Sequence, residues 1–302
     1  MHVFIMGSTG FLGKHLASYL HGQGHSLSLL VRSESKKGMF PSDNEVVSGD
    51  PLQPGLWQEQ AAKADVVVNL VGKNIFARWT EQEKEQIYST RIEATRMAVQ
   101  AIARSGSPPP ALINANAVGY YDPNSRNVAT ESAPPGENFL SRVCIDWQSE
   151  ALKAQKNGAR VVILRIAPPL SRDGGALASM LTPFRLGLGG RLGSGKQPFP
   201  WIHLLDFLRA VEFLAENQAV SGPVNICAPE LITNAEFTKT LARILRRPAI
   251  LPVPSTALKM ALGELSQMLL QAPRIKPDVL MQSGFDFRFP SLYRALQDIL
   301  GQ

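Results

Sequence analysis

HVFIMGSTGFLGKHLASYLHG, His2 to Gly22, is the stretch that decides the fold. His2 to Met6 is a short apolar run and predicts a strand. Gly7 to Gly13 (GSTGFLG) is a turn with a glycine at every third position, and Leu12, Leu16 and Leu20 then recur at helical spacing. A Gly-rich turn that follows an apolar strand and opens a helix predicts a dinucleotide-binding unit. Gly7 permits the tight turn, Gly10 lets the backbone approach a pyrophosphate, and Gly13 lets the helix pack on the strand. The helix N-terminus offers N–H groups and a partial positive charge to the phosphates. Gly7, Ser8, Thr9, Gly10, Phe11, Leu12 and Gly13 are therefore the expected cofactor-binding turn.

Ser26 to Arg32 (SLSLLVR) reads as the second strand, and its end selects the cofactor. A carboxylate there would hold a ribose 2′-hydroxyl, whereas a guanidinium can fork onto a 2′-phosphate. This chain carries Arg32, so NADP(H) is expected ahead of NAD(H). NAD(H) stays open through Glu34, two residues on.

Further strands are predicted at Glu45 to Val47, Ala64 to Val71, Ala111 to Ala115 and Arg160 to Ile166. Helices are predicted from Thr80 to Ser105 and Asn138 to Lys156. This alternation argues for an α/β fold, a Rossmann-type doubly wound parallel sheet. After residue 170 the alternation gives way to LGLGGRLGSGKQPFPWIH, Leu186 to His203. Short strands are expected near Phe199 to Ile202 and Pro223 to Ile226, with a helix from Asn234 to Leu245 capped by Thr233 or Asn234. Residues 1–247 are read as the nucleotide domain, with substrate-side elements from about 170 onward, and 248–302 as a small C-terminal domain.

The 302 residues are 44% hydrophobic and 19% charged, enough for a full core. Cys144 and Cys227 are far apart in apolar surroundings, which fits a reducing, cytoplasmic compartment and no metal site. No apolar run reaches the ~18 residues of a membrane span. The net charge is +6, but the basic residues form no basic-aromatic ladder. The expected partner is a small-molecule substrate, with no nucleic acid and no membrane, and a homodimer is left open.

GSTGFLG, NLVG (Asn69 to Gly72), RWTEQEKEQIYSTR (Arg78 to Arg91), NAVGYYD (Asn116 to Asp122), DGG (Asp173 to Gly175), the block Pro183 to Asp206 and RRPAILPVP (Arg246 to Pro254) carry a resemblance over nearly the whole chain. The sequence resembles the extended short-chain dehydrogenase/reductases, the NAD-dependent epimerase/dehydratase group, in its atypical branch with a small C-terminal domain. The resemblance implies that Asn69 to Gly72 pass beside the cofactor ribose and nicotinamide, with Leu70, Val71 and Gly72 as cofactor-binding residues, and that Asp50 lies near the adenine. It implies that Trp201 to His203 and Asp206 stabilise the substrate lobe.

The superfamily works with Ser, Tyr and a Lys four residues after the Tyr; the Lys charge favours the phenolate, which exchanges a proton during hydride transfer. Here the matching helix reads NFLSRVCIDW, Asn138 to Trp147, with no such pair. Cys144 falls near the Lys position, Asn116 replaces the Ser, and Arg91 stands where many relatives have an Asn. Tyr120 and Tyr121, just past the fifth strand, are the candidate proton donors. Tyr120, Tyr121, Asn116 and Arg91 form the expected catalytic set. His203 is read as structural, Cys144 as an inert buried thiol, and Arg91 as an anchor for an anion or for the tyrosines. Arg185, Arg191 and Lys196 could close over substrate phosphates. The expected function is an NADP(H)-dependent, epimerase-like oxidoreductase on a small polar or nucleotide-sugar-like substrate. The alternative is a dinucleotide-binding sensor or assembly protein without turnover.

Overall fold

The computed structural model describes residues 1–301. Its strands are β1 (His2–Met6), β2 (Ser26–Val31), β3 (Glu45–Ser48), β4 (Val66–Asn69), β5 (Ala111–Ala117), β6 (Val128–Ala129), β7 (Val161–Ile166), β8 (Pro169–Leu170), β9 (Ile202–His203), β10 (Gly222–Ile226) and β11 (Arg274–Ile275). The helices are α1 (Phe11–Gly22), α2 (Trp57–Ala61), α3 (Glu81–Ile102), α4 (Phe139–Leu152), α5 (Gly175–Arg185), α6 (Leu204–Glu216), α7 (Asn234–Leu245), α8 (Ser255–Leu262), α9 (Leu265–Leu270), α10 (Asp278–Gln282) and α11 (Leu292–Leu300).

Seven strands form one parallel sheet in the order β3-β2-β1-β4-β5-β7-β10. Sequence order reverses between β1 and β4, and the crevice past their carboxyl ends is where such sheets bind ligands. The central strands are buried on both faces, as parallel strands covered by helices must be. Val3, Ile5 and Val68 pack against α1 and α6 on one face; Phe4, Met6 and Val67 pack against Trp57 and α3 on the other.

β4 is shorter than its apolar run suggests. The Asn69 side-chain oxygen accepts the Val71 N–H at 3.1 Å and turns the chain off the sheet. A strand over Phe199 to Ile202 does not form. Pro198 and Pro200 lack the N–H a ladder needs, so pairing is reduced to Ile202–His203 with Pro169–Leu170 and an isolated bridge of Pro198 with Thr233. α5 and α6 lie on either side of the Gly-rich stretch Leu186 to His203, where no helix is predicted from the sequence. Leu204, Phe207, Leu208, Val211 and Leu214 are buried on one face of α6, at the spacing of an amphipathic helix. α7 forms as expected, with Thr233 and Glu236 closing a capping box.

The C-terminal segment packs onto both halves of the molecule. Leu280 and Phe285 join the core beneath the sheet, while Leu292, Leu296 and Ile299 of α11 join Phe237 and Leu241 of α7. Asp206 fastens it by accepting the backbone N–H groups of Arg288 and Phe289, each at 2.9 Å.

Candidate active site

The turn between β1 and α1 sits at the switch point. Gly7 has φ +82°, and a Cβ there would stand 3.0 Å from the Leu70 carbonyl carbon at the end of β4. A Cβ on Gly13 would overlap the Gly7 carbonyl, so helix and strand can meet only at a glycine. A Cβ on Gly10 would meet the Gly7 oxygen alone, a tight contact at 3.3 Å. Ser8 is buried and donates to the Leu30 carbonyl at 2.7 Å, which joins the turn to β2.

The first helical bond of α1 runs from Lys14 N–H to Gly10 O, so the N–H groups of Phe11, Leu12 and Gly13 precede it. Among the described residues no side chain caps α1 and no acid stands in its first turn. α3, α4, α6 and α7 are capped, by Thr80, Asn138, His203 and Thr233, while α2, α5 and α8 to α11 share the uncapped start of α1. A glycine cradle at an uncapped helix end fits a pyrophosphate. Phe11 packs where Gly174 passes: a Cβ on Gly174 would lie 2.5 Å from its ring.

Arg32 is exposed past the end of β2, and Asp50 is exposed past the end of β3. Leu70 to Gly72 are held from below. Asn69 donates to Thr95 Oγ1 at 3.0 Å and to Asn114 Oδ1 at 2.8 Å, and Trp147 Nε1 donates to Thr95 at 2.8 Å. Arg91 donates to the carbonyls of Ile87 (2.8 Å) and Lys73 (3.0 Å) and lies over the Trp147 ring. A side chain on Gly72 would meet that guanidinium at 3.1 Å. Burial lowers the Arg91 pKa. Thr95, Asn114 and Trp147 escaped the sequence reading, since each looks like an ordinary interior residue until Asn69 is seen beside it.

The expected catalytic residues separate. Asn116 is buried, donates to Cys144 O at 2.9 Å, and accepts the Ala117 N–H at 2.7 Å. Tyr121 is buried too. Its hydroxyl donates to Asn225 Oδ1 at 2.7 Å and accepts from Arg165 Nη1 at 2.8 Å, and burial pushes its pKa up to about 12. Tyr120 is half-buried, with the Arg165 guanidinium against its ring. Arg165 was not singled out in the sequence, where it sits inside the apolar run RVVILRI. Cys144 is fully enclosed, and burial pushes its thiol up to about 12. His203 caps α6 by accepting the Leu205 N–H at Nδ1, with Asp298 facing Nε2 at 3.2 Å.

Two adjoining cavities of about 190 and 390 Å³ lie between the Gly-rich block, the loop after Tyr121 and the C-terminal segment. They share Lys196, Pro198 and Arg274. Arg126 lines the larger, while Phe199, Cys227 and Glu230 line the smaller. Cys227 belongs to the apolar cluster that Tyr120 packs against, although Tyr120 itself lines neither cavity. Of the three cations expected over a substrate, only Lys196 lines it; Arg185 and Arg191 are exposed elsewhere.

The sequence profile of the NAD dependent epimerase/dehydratase family matches residues 3–227, and that of a domain of unknown function, DUF1731, matches residues 253–299. The chain is 35% identical to the mouse epimerase family protein SDR39U1, over 99% of this chain and 100% of the relative. It is 37% identical to the epimerase family protein YfhF of Bacillus subtilis, over 99% and 98%. The human SDR39U1 structure solved with NADPH superposes with a TM-score of 0.87 at 33% identity, covering both chains completely.

Proposed function

The chain belongs to the NAD dependent epimerase/dehydratase family, and on that premise we propose that it is an NADPH-binding, epimerase-like oxidoreductase for a small anionic substrate of nucleotide-sugar type. The observation that carries the proposal is the uncapped, glycine-lined end of α1 at the β1/β4 switch point. Once bound, the cofactor supplies a hydride donor or acceptor. The N–H groups of Phe11 to Gly13 hold its pyrophosphate, and Arg32 forks onto the 2′-phosphate. The human relative solved with NADPH supports that choice. Asn69 and Arg91 fix the backbone of Leu70 to Gly72 along the cofactor edge.

Tyr120 is the proton donor in this reading, because the hydroxyl of Tyr121 is already committed at both ends. Asn116 and Arg91 position backbone rather than move protons. Lys196, Arg126 and Arg274 supply the positive field that draws an anionic substrate into the cleft, with Phe199 as its flat apolar wall.

A second reading, a dinucleotide-binding sensor without turnover, is favoured by Asn116 at the usual Ser position, whose amide is engaged with the backbone of Cys144 and Ala117. The test is NADPH titration of the purified protein, followed by a screen of carbonyl compounds and nucleotide-sugars read by NADPH absorbance. Turnover lost in Tyr120→Phe supports the enzyme; tight binding with no turnover supports the sensor. Absence of NADPH binding overturns both.

A further inference from the structure

Leu186 and Leu188 follow α5, and Ile250 and Leu251 follow α7; they are 69%, 61%, 81% and 62% exposed, so they protrude rather than line a groove. The two segments lie side by side. Val253 N–H donates to Arg191 O and Gly193 N–H to Val253 O, each at 2.9 Å. A Cβ on Gly187 would come within 3.6 Å of Pro248.

The charge of this region is one-sided. Residues 174–205 and 237–263 contain no Asp or Glu but eight Lys and Arg, more than the net +6 of the whole chain. The remainder of the chain is therefore net acidic. Arg185, Arg246 and Arg247 flank the four aliphatic residues in sequence and are exposed.

We propose that this patch docks the protein on an anionic lipid bilayer. The four aliphatic side chains enter the boundary between headgroups and acyl chains, and the arginines pair with lipid phosphates. A second copy seated on the same patch would set these arginines against their own equivalents, like charge on like. Nucleic acid presents its phosphates but gives protruding aliphatic side chains nothing apolar to bury against. An acidic protein would need pockets matched to these tips, whereas a bilayer takes them without shape matching. No helix among the described residues is long and apolar enough to cross a membrane, so the contact is with one surface. The proposal departs from the sequence expectation of no membrane partner, because run length reads spans and not surfaces.

The experiment is co-sedimentation of the full chain with phosphatidylcholine vesicles, with and without phosphatidylglycerol, at low and physiological salt. Binding is expected only with phosphatidylglycerol and weakens with salt. Arg185→Gln and Arg247→Gln should each reduce it about fivefold. Leu188→Ser with Ile250→Ser should abolish it, with an unchanged NADPH titration reporting an intact fold. Equal partitioning to both vesicle types, or full binding by the double serine variant, overturns the proposal. So does heparin retention without vesicle binding, which assigns the charge to a soluble polyanion. A lipid-independent dimer lost in the double serine variant also overturns it, assigning the patch to a second copy.

Discussion

The guanidinium carbon of Arg165 lies 3.5 Å from the centroid of the Tyr120 ring. The same group donates to the Tyr121 hydroxyl, to Glu131 O and to Gln148 Oε1. One buried cation thus touches both tyrosines in different ways: it stacks on one ring and hydrogen-bonds the other hydroxyl. Among the described residues no carboxylate pairs with it.

The two tyrosines are therefore expected to fail differently. Tyr120→Phe keeps the stacked ring and should leave stability and NADPH affinity unchanged, while cutting kcat about 10²–10⁴-fold. Tyr121→Phe strands Asn225 Oδ1 and one Arg165 N–H in the interior and should cost about 1–3 kcal/mol of stability. Urea denaturation and steady-state kinetics on both variants separate these outcomes. Cys144→Ala should be nearly silent in kcat, since its thiol stays protonated at neutral pH.

Arg32→Glu should erode the preference for NADPH over NADH by about tenfold or more, since a charge-assisted pair is replaced by repulsion. Parallel titrations with both cofactors measure it. An unchanged ratio would remove Arg32 from the 2′-phosphate.

Gly13→Ala and Gly10→Val should also diverge. The first drives a Cβ into the Gly7 carbonyl and should destabilise the fold by roughly 3 kcal/mol or more. The second meets little protein, so the chain should fold while NADPH affinity falls on the order of 100-fold where the pyrophosphate would lie. Thermal melts with and without NADPH distinguish them: Gly10→Val should lose only the ligand-induced rise in Tm.

His203 should give the protein an acid limit. Burial lowers its pKa, although Asp298 and Asp206 pull the other way. Its Nδ1 can accept the Leu205 N–H only when that nitrogen is unprotonated. A histidine with a depressed folded pKa contributes stability that is complete above its unfolded value of ~6.5 and is lost as pH falls through the folded value. Stability measured from neutral toward acid pH should decline across that window. His203→Asn, which can still cap α6, should flatten the decline.

The fold was legible wherever a single periodicity ran uninterrupted. β1, the turn and α1 follow from their spacing alone, and Thr233 and Asn234, both good caps, mark the start of α7 to within a residue. α6 was equally periodic, but it follows directly on Trp201 to His203, and the proline- and glycine-rich approach hid its start. The cofactor turn was readable because its glycines answer to local sterics. The roles of Asn116, Tyr121 and Arg165 were not, because each depends on a partner from a separate element: Cys144 O on α4, Asn225 on β10 and Tyr120 just past β5. A sequence names donors and acceptors, but only the sheet order says which of them meet.

The contact between Phe11 and Gly174 reaches beyond one molecule. With an aromatic ring at 11, position 174 has no room for a side chain. Among descendants of this sequence, bulk gained at 174 requires that the ring at 11 shift or shrink. Divergence of the phosphate-binding turn and of the lobe facing it is therefore yoked, and the two should carry a shared evolutionary signature although they lie in separate halves of the chain.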